Sequence, residues 1–365
     1  MTDRDPLPER QRPPLSLTAT GLRLAGIGVV VLVAATAFAY VGGYLDPQRL
    51  TPDKLVNTLE HNNGTFPGYR RNHPKGVCVA GYFDSNGAAA GLSRAEVFSA
   101  TRTPVEGRFA LPTGNPYSPD SAAPIRSLAV RFIQKDGQQW RTGMNAMPVF
   151  PVGTPQAFYE LLQATAPDPK TGKPDPSKPP AFFGSHPETA PFLAWVKTAK
   201  PSASYATVTY NSVNAFYLIN AEGKRQAVRW NMVPVDAAES AAPAPDTKDY
   251  LEPDLGSRLA AGPLRFNLIL TLANADDPVN DASKQWPADR RTVNAGTLVL
   301  ESEQPQLSGA CRDINYDPLV LPSGISGSDD PLLAARSAAY ATSYKRRTAE
   351  VEQLPKTAPV PEKKS

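Results

Sequence analysis

Short apolar stretches, either alternating with polar residues or continuous, recur along the chain and predict many β-strands. These strands are predicted at 76–83, 107–111, 127–134, 139–145, 205–210, 214–220, 225–232, 264–273 and 296–301, with a hairpin turn at 221–224. Helical periodicity predicts helices at 52–61, 154–165 and 187–200, with a loop at 166–180. The pattern favours an α+β fold, with an antiparallel β-barrel core and inserted and flanking helices.

The segment 24–45 is apolar and uncharged, and it is long enough to cross a bilayer as one helix. Arginines precede it at positions 10, 12 and 23, so the positive-inside rule places the leader 1–23 in the cytoplasm. The remainder of the chain is then expected outside the cytoplasm. Ala37-Phe38-Ala39 resembles a cleavage site, so a removed signal peptide is an alternative to a transmembrane anchor. The anchor is favoured because the apolar run continues to Leu45.

Composition narrows the class of protein. The 365 residues carry a formal net charge of only +3, without a basic block that interleaves with aromatic residues, so nucleic acid is not an expected partner. The 39 prolines concentrate outside the apolar runs, which is typical of a loop-rich β architecture. We expect one domain over 46–352 and a disordered, charged tail at 353–365.

Cysteine and histidine, which are common metal ligands, are scarce in the chain, with two and three residues respectively. Cys78 and Cys311 would lie in an oxidising compartment after export, but two isolated cysteines leave their pairing open. The chain has no Cys-x-x-Cys and no His-Glu-x-x-His, so the sequence gives little support to zinc or non-haem iron. Of the three histidines, His61 is predicted to be a solvated surface residue and His186 a helix-capping or packing residue, whereas His73 immediately precedes the first predicted strand.

A helix with distinctive side chains is predicted near the C-terminal end. Asp330 followed by Pro331 is typical of a helix start. Arg336 and Tyr340 are four residues apart and therefore share one helix face. A nearby cation favours the charged form of a phenol, and a tyrosinate is one of the axial ligands of haem iron. An ordinary amphipathic helix with a buried tyrosine is the alternative.

Six motifs in a fixed order give the chain a resemblance to the haem catalases, in particular to their short exported branch, the catalase-related peroxidases. The motifs are Arg71-Asn-His73-Pro-Lys-Gly76 before Gly81-Tyr-Phe83; Arg108-Phe109 with Gly114, Ser118, Asp120 and Arg126-Ser-Leu-Ala-Val-Arg-Phe132; Gly143-Met-Asn145 before Pro148-Val-Phe150; Pro180-Ala-Phe182-Phe183; Trp286-Pro287 with Gly296-Thr-Leu-Val-Leu300; and Arg336 with Tyr340. The resemblance extends from about residue 51 to 349.

The resemblance implies a site that binds b-type haem. Tyr340 is implied as the iron ligand, with Arg336 keeping it ionised. His73 is implied as the acid–base residue that moves the proton of hydrogen peroxide, and Asn145 as the residue that orients the peroxide. Ser118 is implied as the partner that fixes the tautomer of His73.

The other implied residues contact the haem itself. Phe182 would pack on the macrocycle. Arg108 and Arg347 are implied as partners of the haem carboxylates, and Arg126 is a weaker candidate, because a guanidinium suits a carboxylate in a bidentate arrangement.

The sequence also departs from the typical catalase pattern. Asn72 stands where an apolar residue is usual, Ala110 where a serine is usual, and Pro116 where an arginine is usual. We expect no counterpart of the long N-terminal arm and the C-terminal helical domain of typical catalases. We therefore expect a peroxidase with weak catalase activity, which reduces hydrogen peroxide or organic hydroperoxides with a small organic donor. The expected state is a monomer or homodimer.

Two other functions are compatible with the same patterns. The first is a haem protein of the same fold that rearranges lipid hydroperoxides. The second is a cell-envelope β-barrel without haem, which binds a lipid or carries a partner.

Overall fold

The computed structural model describes residues 16–42, 44–46, 49–236 and 247–353. The chain divides into a unit that ends at Thr51 and a larger unit that begins at Pro52. Most of the predicted leader, 1–23, and nearly all of the predicted tail, 353–365, lie outside the described residues.

The first unit contains one long apolar helix, α1 (Leu17–Val41). Its mean hydropathy of 2.3 over 18 residues makes it a candidate membrane span. The helix begins earlier than the predicted segment 24–45, because the side chain of Ser16 caps its start by accepting a hydrogen bond from the Ala19 N–H at 3.2 Å. It also ends earlier, at Val41. Both membrane anchors and signal sequences have a helix of this length and composition.

The second unit contains ten strands and six helices in the part of the chain that the structure describes. The strands are β1 (Gly76–Ser85), β2 (Arg102–Ala110), β3 (Ser127–Ile133), β4 (Gln139–Asn145), β5 (Tyr210–Asn211), β6 (Phe216–Ile219), β7 (Arg225–Pro234), β8 (Leu264–Leu272), β9 (Thr292–Pro305) and β10 (Ile325–Gly327). The helices are α2 (Pro52–Asn63), α3 (Pro155–Ala164), α4 (Lys178–Ser185), α5 (Ala190–Val196), α6 (Leu251–Ala261) and α7 (Pro331–Gln353).

Eight of these strands close into an antiparallel barrel. They pair in the order β7-β5-β4-β3-β2-β1-β9-β8, and β8 pairs again with β7 to complete the ring. The strands β6 and β10 extend the sheet beyond β7. The predicted antiparallel barrel with inserted and flanking helices is confirmed.

Aromatic side chains fill the interior of the barrel. Trp140 stacks on Phe132 with ring centroids 4.4 Å apart and meets Trp230 edge-on at 5.1 Å. Along β4, residues 140, 142 and 144 are buried, whereas Gly143 and Asn145 alternate onto the less buried face. Because the interior is packed, a ligand site has to lie outside the barrel, where the strands meet the helices.

Some elements differ from their predictions because distant residues determine them. The predicted strand 205–210 is reduced to Tyr210–Asn211, and the predicted helix 187–200 becomes a short 3₁₀ turn followed by α5. The sequence did not predict α6, whose start is capped by Asp120 from a remote loop: its carboxylate accepts from the Tyr250 and Leu251 N–H groups at 2.7 and 2.8 Å. It also did not predict α4, which starts with prolines in its first turn.

Candidate active site

A cavity of about 320 Å³ lies between strands β2–β4 and helices α2, α3 and α7. Much of its lining is apolar and includes Leu55, Val56, Phe150, Phe158 and Phe192. Its polar side chains form three groups, which centre on His73, on Arg336 with Tyr340, and on a set of arginines. A mostly apolar cavity with a few converging polar groups is typical of a ligand or active site.

The first polar group centres on His73, whose backbone adopts a left-handed conformation with φ of 58°. Its N–H donates to the carbonyl of Thr113 at 3.1 Å and to Oδ1 of Asn72 at 2.9 Å, which hold the segment in place. A non-glycine residue in this region costs of the order of 1–3 kcal/mol and persists only where its surroundings enforce it. This strained backbone therefore directs the imidazole into the cavity that it lines.

The imidazole of His73 is held in its neutral form. Burial, and secondly the charge of Arg108, lower its pKa from 6.5 to about 3. The ring is also hydrogen-bonded to the side chain of Asn145, which lines the same cavity. A neutral imidazole beside an amide can accept a proton from a bound molecule.

Asn145 is fixed from the adjacent strand. It pairs in register with Ser127 at the end of the β3–β4 ladder. The Ser127 hydroxyl donates to Oδ1 of Asn145 at 2.6 Å, and Nδ2 of Asn211 donates to its carbonyl at 3.2 Å. Ser127 was not predicted as a site residue, because its role depends on the strand register.

The second polar group lies on α7. The Arg336 guanidinium carbon is 5.9 Å from the centre of the Tyr340 ring, and both residues line the cavity. Gly143 faces this pair across the cavity: a Cβ there would lie at an ordinary contact distance, 3.8 Å, from the Tyr340 hydroxyl oxygen. Arg336 donates to the carbonyl of Gly143 at 3.1 Å. The helical spacing therefore produces the predicted guanidinium–phenol pair.

Asn214 connects Arg336 to the start of α7. Its Oδ1 accepts a hydrogen bond from Arg336, and its Nδ2 donates to Asp330 Oδ2 at 2.8 Å. Asp330 in turn accepts from the Leu332 N–H at 2.9 Å, as expected of a cap. No local pattern predicts a role for Asn214. It follows Val213 (φ 65°), the second non-glycine residue with positive φ among the described residues.

The third polar group consists of three arginines that line the cavity: Arg70, Arg108 and Arg347. Burial lowers the pKa of each, that of Arg108 to about 10. Repulsion from the other two guanidiniums lowers the pKa of Arg70 further, and repulsion from Arg347 lowers that of Arg108. Their hydrogen-bond acceptors among the described residues are backbone carbonyls and the amide of Gln306.

This arginine cluster carries more positive charge than its surroundings compensate. Among the described residues, the carboxylate that forms an ion pair with this cluster is that of Asp313, 3.9 Å from Arg347. The buried Nε of Arg108 has no hydrogen-bond partner among the residues that the structure describes. Because buried like charges repel one another, such a cluster suits a ligand that carries more than one negative charge. The sequence predicted Arg108 and Arg347 but missed Arg70.

Two predicted site residues lie away from this cavity. Ser118 is in the loop after β2, and its carbonyl accepts from Lys75 Nζ at 2.8 Å. Arg126 is fully buried and donates to the carbonyls of Ala123 and Ser202, each at 2.7 Å. Its guanidinium therefore secures loops and does not reach the cavity, although the next residue, Ser127, does.

Phe182 is also outside the cavity. It stacks on His186 with ring centroids 4.0 Å apart and packs with Val152 and Ala157. The aromatic rings that do line the cavity include Phe150 and Phe158, which contact each other with centroids 5.4 Å apart. Phe158 lies in the predicted helix 154–165, but nothing in its local sequence distinguished it from a core residue.

Cys78 and Cys311, whose pairing the sequence left open, form a disulfide with Cα atoms 5.3 Å apart. The bond joins β1 to the loop between β9 and β10. Cysteines that pair in this way are typical of proteins from oxidising compartments.

Comparison with known proteins agrees with this geometry. The catalase family model matches residues 47–365. A catalase-related peroxidase from Synechococcus elongatus is 38% identical over 333 residues, which cover 89% of this chain and 96% of that protein. A catalase-related peroxidase from Mycolicibacterium paratuberculosis is 32% identical over 304 residues, or 82% of this chain and 95% of that protein.

The fold comparison gives the same result at lower sequence identity. The structure of a bacterial catalase superposes with a TM-score of 0.69 at 24% identity, over 87% of this chain and 65% of that chain. The chain thus spans about two thirds of that catalase, whereas it matches the catalase-related peroxidases over nearly their whole length. The chain belongs to the catalase family, in the branch of the catalase-related peroxidases.

Proposed function

We propose that this protein is a haem peroxidase that reduces hydrogen peroxide, or an organic hydroperoxide, with a small organic electron donor. Its membership of the catalase family makes it an oxidoreductase that acts on peroxide. The observation that carries the finer proposal is that one cavity brings together a guanidinium–phenol pair, a neutral imidazole with an amide, and a cluster of arginines.

The residues of the cavity suit a b-type haem, which is a flat apolar ring with two carboxylates. Tyr340 would bind the iron as a phenolate stabilised by Arg336. The arginine cluster would hold the carboxylates, and Phe150 and Phe158 supply apolar contacts. When bound, the haem supplies the redox-active iron at which the peroxide O–O bond is cleaved.

His73 and Asn145 would handle the peroxide. Since burial keeps the imidazole neutral, it can take the proton from one peroxide oxygen and return it to the departing oxygen as water leaves. Asn145, fixed by Ser127, would hydrogen-bond to the peroxide and keep it within reach of His73.

We expect the rate constant for reaction with peroxide to be insensitive to pH around 6.5. Because the pKa of His73 is lowered to about 3, the folded protein leaves this ring unprotonated between pH 6.5 and 3, whereas the unfolded chain binds a proton there. The contribution of His73 to the free energy of unfolding therefore falls as the pH drops through this window.

Stopped-flow mixing with peroxide and urea unfolding at stepped pH values check this expectation. The variant His73→Gln serves as the control, because it should lose the part of the pH-dependent stability that His73 supplies. A rate constant in the wild type that halves near pH 6.5 would contradict a neutral, buried His73.

We expect Asn214→Ala to lower kcat/KM for peroxide by about 10–100-fold, the range typical of residues that orient a metal ligand from the second shell. The substitution removes one acceptor of Arg336 and one partner of the buried Asp330. Steady-state kinetics and the absorption spectrum of the haem measure the effect. The matched variant is Ser337→Ala, at a position on the same helix as Arg336. It removes a hydrogen bond from Ser337 to Asp317 and should keep an activity close to that of the wild type. Equal activities in both variants would show that Asn214 does not contribute to the reaction through Arg336.

We propose that donor oxidation dominates over disproportionation of peroxide. The support is the apolar lining of the cavity, which suits an organic donor, and the nearly full-length match to proteins named peroxidases. Parallel assays of oxygen evolution and of oxidation of a phenol, with hydrogen peroxide and an alkyl hydroperoxide, test the ranking. Rapid oxygen evolution without oxidation of the donor would reverse it.

We further propose that α1 anchors the enzyme in a membrane, with its catalytic domain outside the cytoplasm as a monomer or homodimer. The length and hydropathy of α1 support the anchor. The disulfide supports export, because disulfides persist mainly outside the reducing cytosol.

A further inference from the structure

We propose that the Cys78–Cys311 disulfide positions the arginine cluster (Arg70, Arg108 and Arg347) for the carboxylates of the cofactor, so that reducing this bond weakens haem retention. The inference rests on the haem binding proposed above. It assigns to the two cysteines a role in holding the ligand, beyond their general contribution to stability.

The first support is that a single loop holds all three arginines. This loop, residues 306–316, follows β9. Its Gln306 Oε1 accepts from Arg108 at 2.5 Å, and its Arg312 carbonyl accepts from Arg347 at 2.6 Å. The carbonyls of Cys311 and Ile314 each accept from Arg70 at 3.0 Å.

The second support is where the disulfide attaches this loop. Cys311 is bonded to Cys78 near the start of β1, and the residue paired with Cys78 across the β1–β2 ladder is Arg108. The loop packs tightly at this point, since a Cβ on Gly309 would lie 2.9 Å from Sγ of Cys78. The disulfide thus fixes the loop beside Arg108, which is one of the three arginines that the loop holds.

The third support is electrostatic. The three guanidiniums carry like charges, and repulsion between them adds to burial in lowering the pKa values of Arg70 and Arg108. The cluster stays together because carbonyl and amide oxygens of the fixed loop accept hydrogen bonds from all three guanidiniums. A preorganised cluster binds a carboxylate more tightly than one that has to be assembled on binding. A loop freed from β1 lets the guanidiniums move apart, which weakens their hold on the carboxylates.

Opening the bond requires a reductant such as a dithiol. A thiolate of the dithiol attacks one sulfur, the S–S bond breaks, and Cys78 and Cys311 each end as a thiol while the dithiol becomes a disulfide. Both sulfur-bearing residues are at most 3% exposed, so the reductant gains access only when the loop opens. The compartment outside the cytoplasm would keep the bond closed and the haem retained.

The test measures haem release, without using enzyme activity. The full chain in detergent is loaded with haem or with haem dimethyl ester, whose carboxylates are blocked, and each form is transferred to an excess of a haem-scavenging apoprotein. Wild type, Cys311→Ser and Cys78→Ser are compared, with Ser308→Ala at an exposed position of the same loop as control. Wild type treated with a dithiol and oxidised wild type provide the same comparison if a variant does not fold.

We expect the serine variants and the reduced protein to release haem about tenfold or more faster than the oxidised wild type, which corresponds to the loss of about one charge-assisted hydrogen bond. Release of the dimethyl ester should be the same in all of them. Unchanged haem release in the variants, or equal acceleration for haem and ester, would overturn this inference alone. A wild type that takes up no haem would overturn the proposed function as well.

Discussion

Replacing His73 with alanine lowers the rate constant for reaction with hydrogen peroxide by about 10²–10⁴, the usual contribution of a positioned acid–base residue. The reason is that His73 is the histidine that lines the cavity, where burial keeps it neutral beside Asn145. Haem content should stay as in wild type, because His73 is not among the residues proposed to bind the haem.

The matched control is His186→Ala. His186 stacks on Phe182 outside the cavity, so its removal should leave the peroxide reaction unchanged. Stopped-flow absorbance, with haem content determined on the same samples, measures both variants. A His73→Ala protein that reacts at the wild-type rate, or an equal loss in His186→Ala, would assign the acid–base role elsewhere.

Replacing Tyr340 with phenylalanine lowers peroxide turnover by at least about 100-fold, more than the 10–100-fold typical of residues that act on a metal through a ligand. The variant removes the phenol oxygen beside Arg336 and Gly143 while it keeps the ring. The haem absorption should also shift, because the iron loses an anionic ligand.

Tyr344→Phe is the control for this experiment. Tyr344 lines the same cavity one helical turn further along α7, with the guanidinium of Arg347 4.9 Å from its ring centre. It should keep the wild-type spectrum and most of the turnover. If Tyr344→Phe instead loses the spectral features and Tyr340→Phe keeps them, the ligand has been assigned to the wrong tyrosine.

Local patterns in the sequence were sufficient to predict the barrel and most of its strands. The alternation along β4 predicted a strand at 139–145, the bounds that the structure has. Asp330-Pro331 predicted the start of α7, and the four-residue spacing placed Arg336 and Tyr340 together. These features depend on residues near one another in the chain, which is why they can be read from it.

The features that sequence analysis missed depend on contacts between distant segments. Ser127 reaches Asn145 through the register of β3 and β4, and Asn214 reaches Arg336 across 122 positions. The disulfide joins cysteines 233 residues apart. The order of the motifs assigned Phe182 to the haem, but its ring packs with Val152 and Ala157 and does not line the cavity.

Haem binding at Tyr340 is tested by an absorption titration of the purified, haem-free full chain with haem. We expect saturable uptake of one haem per chain with a Soret band, and a different spectrum for Tyr340→Phe. A folded protein that takes up no haem would rule out haem binding in this cavity, since the arginine cluster and the Arg336–Tyr340 pair would then serve another ligand.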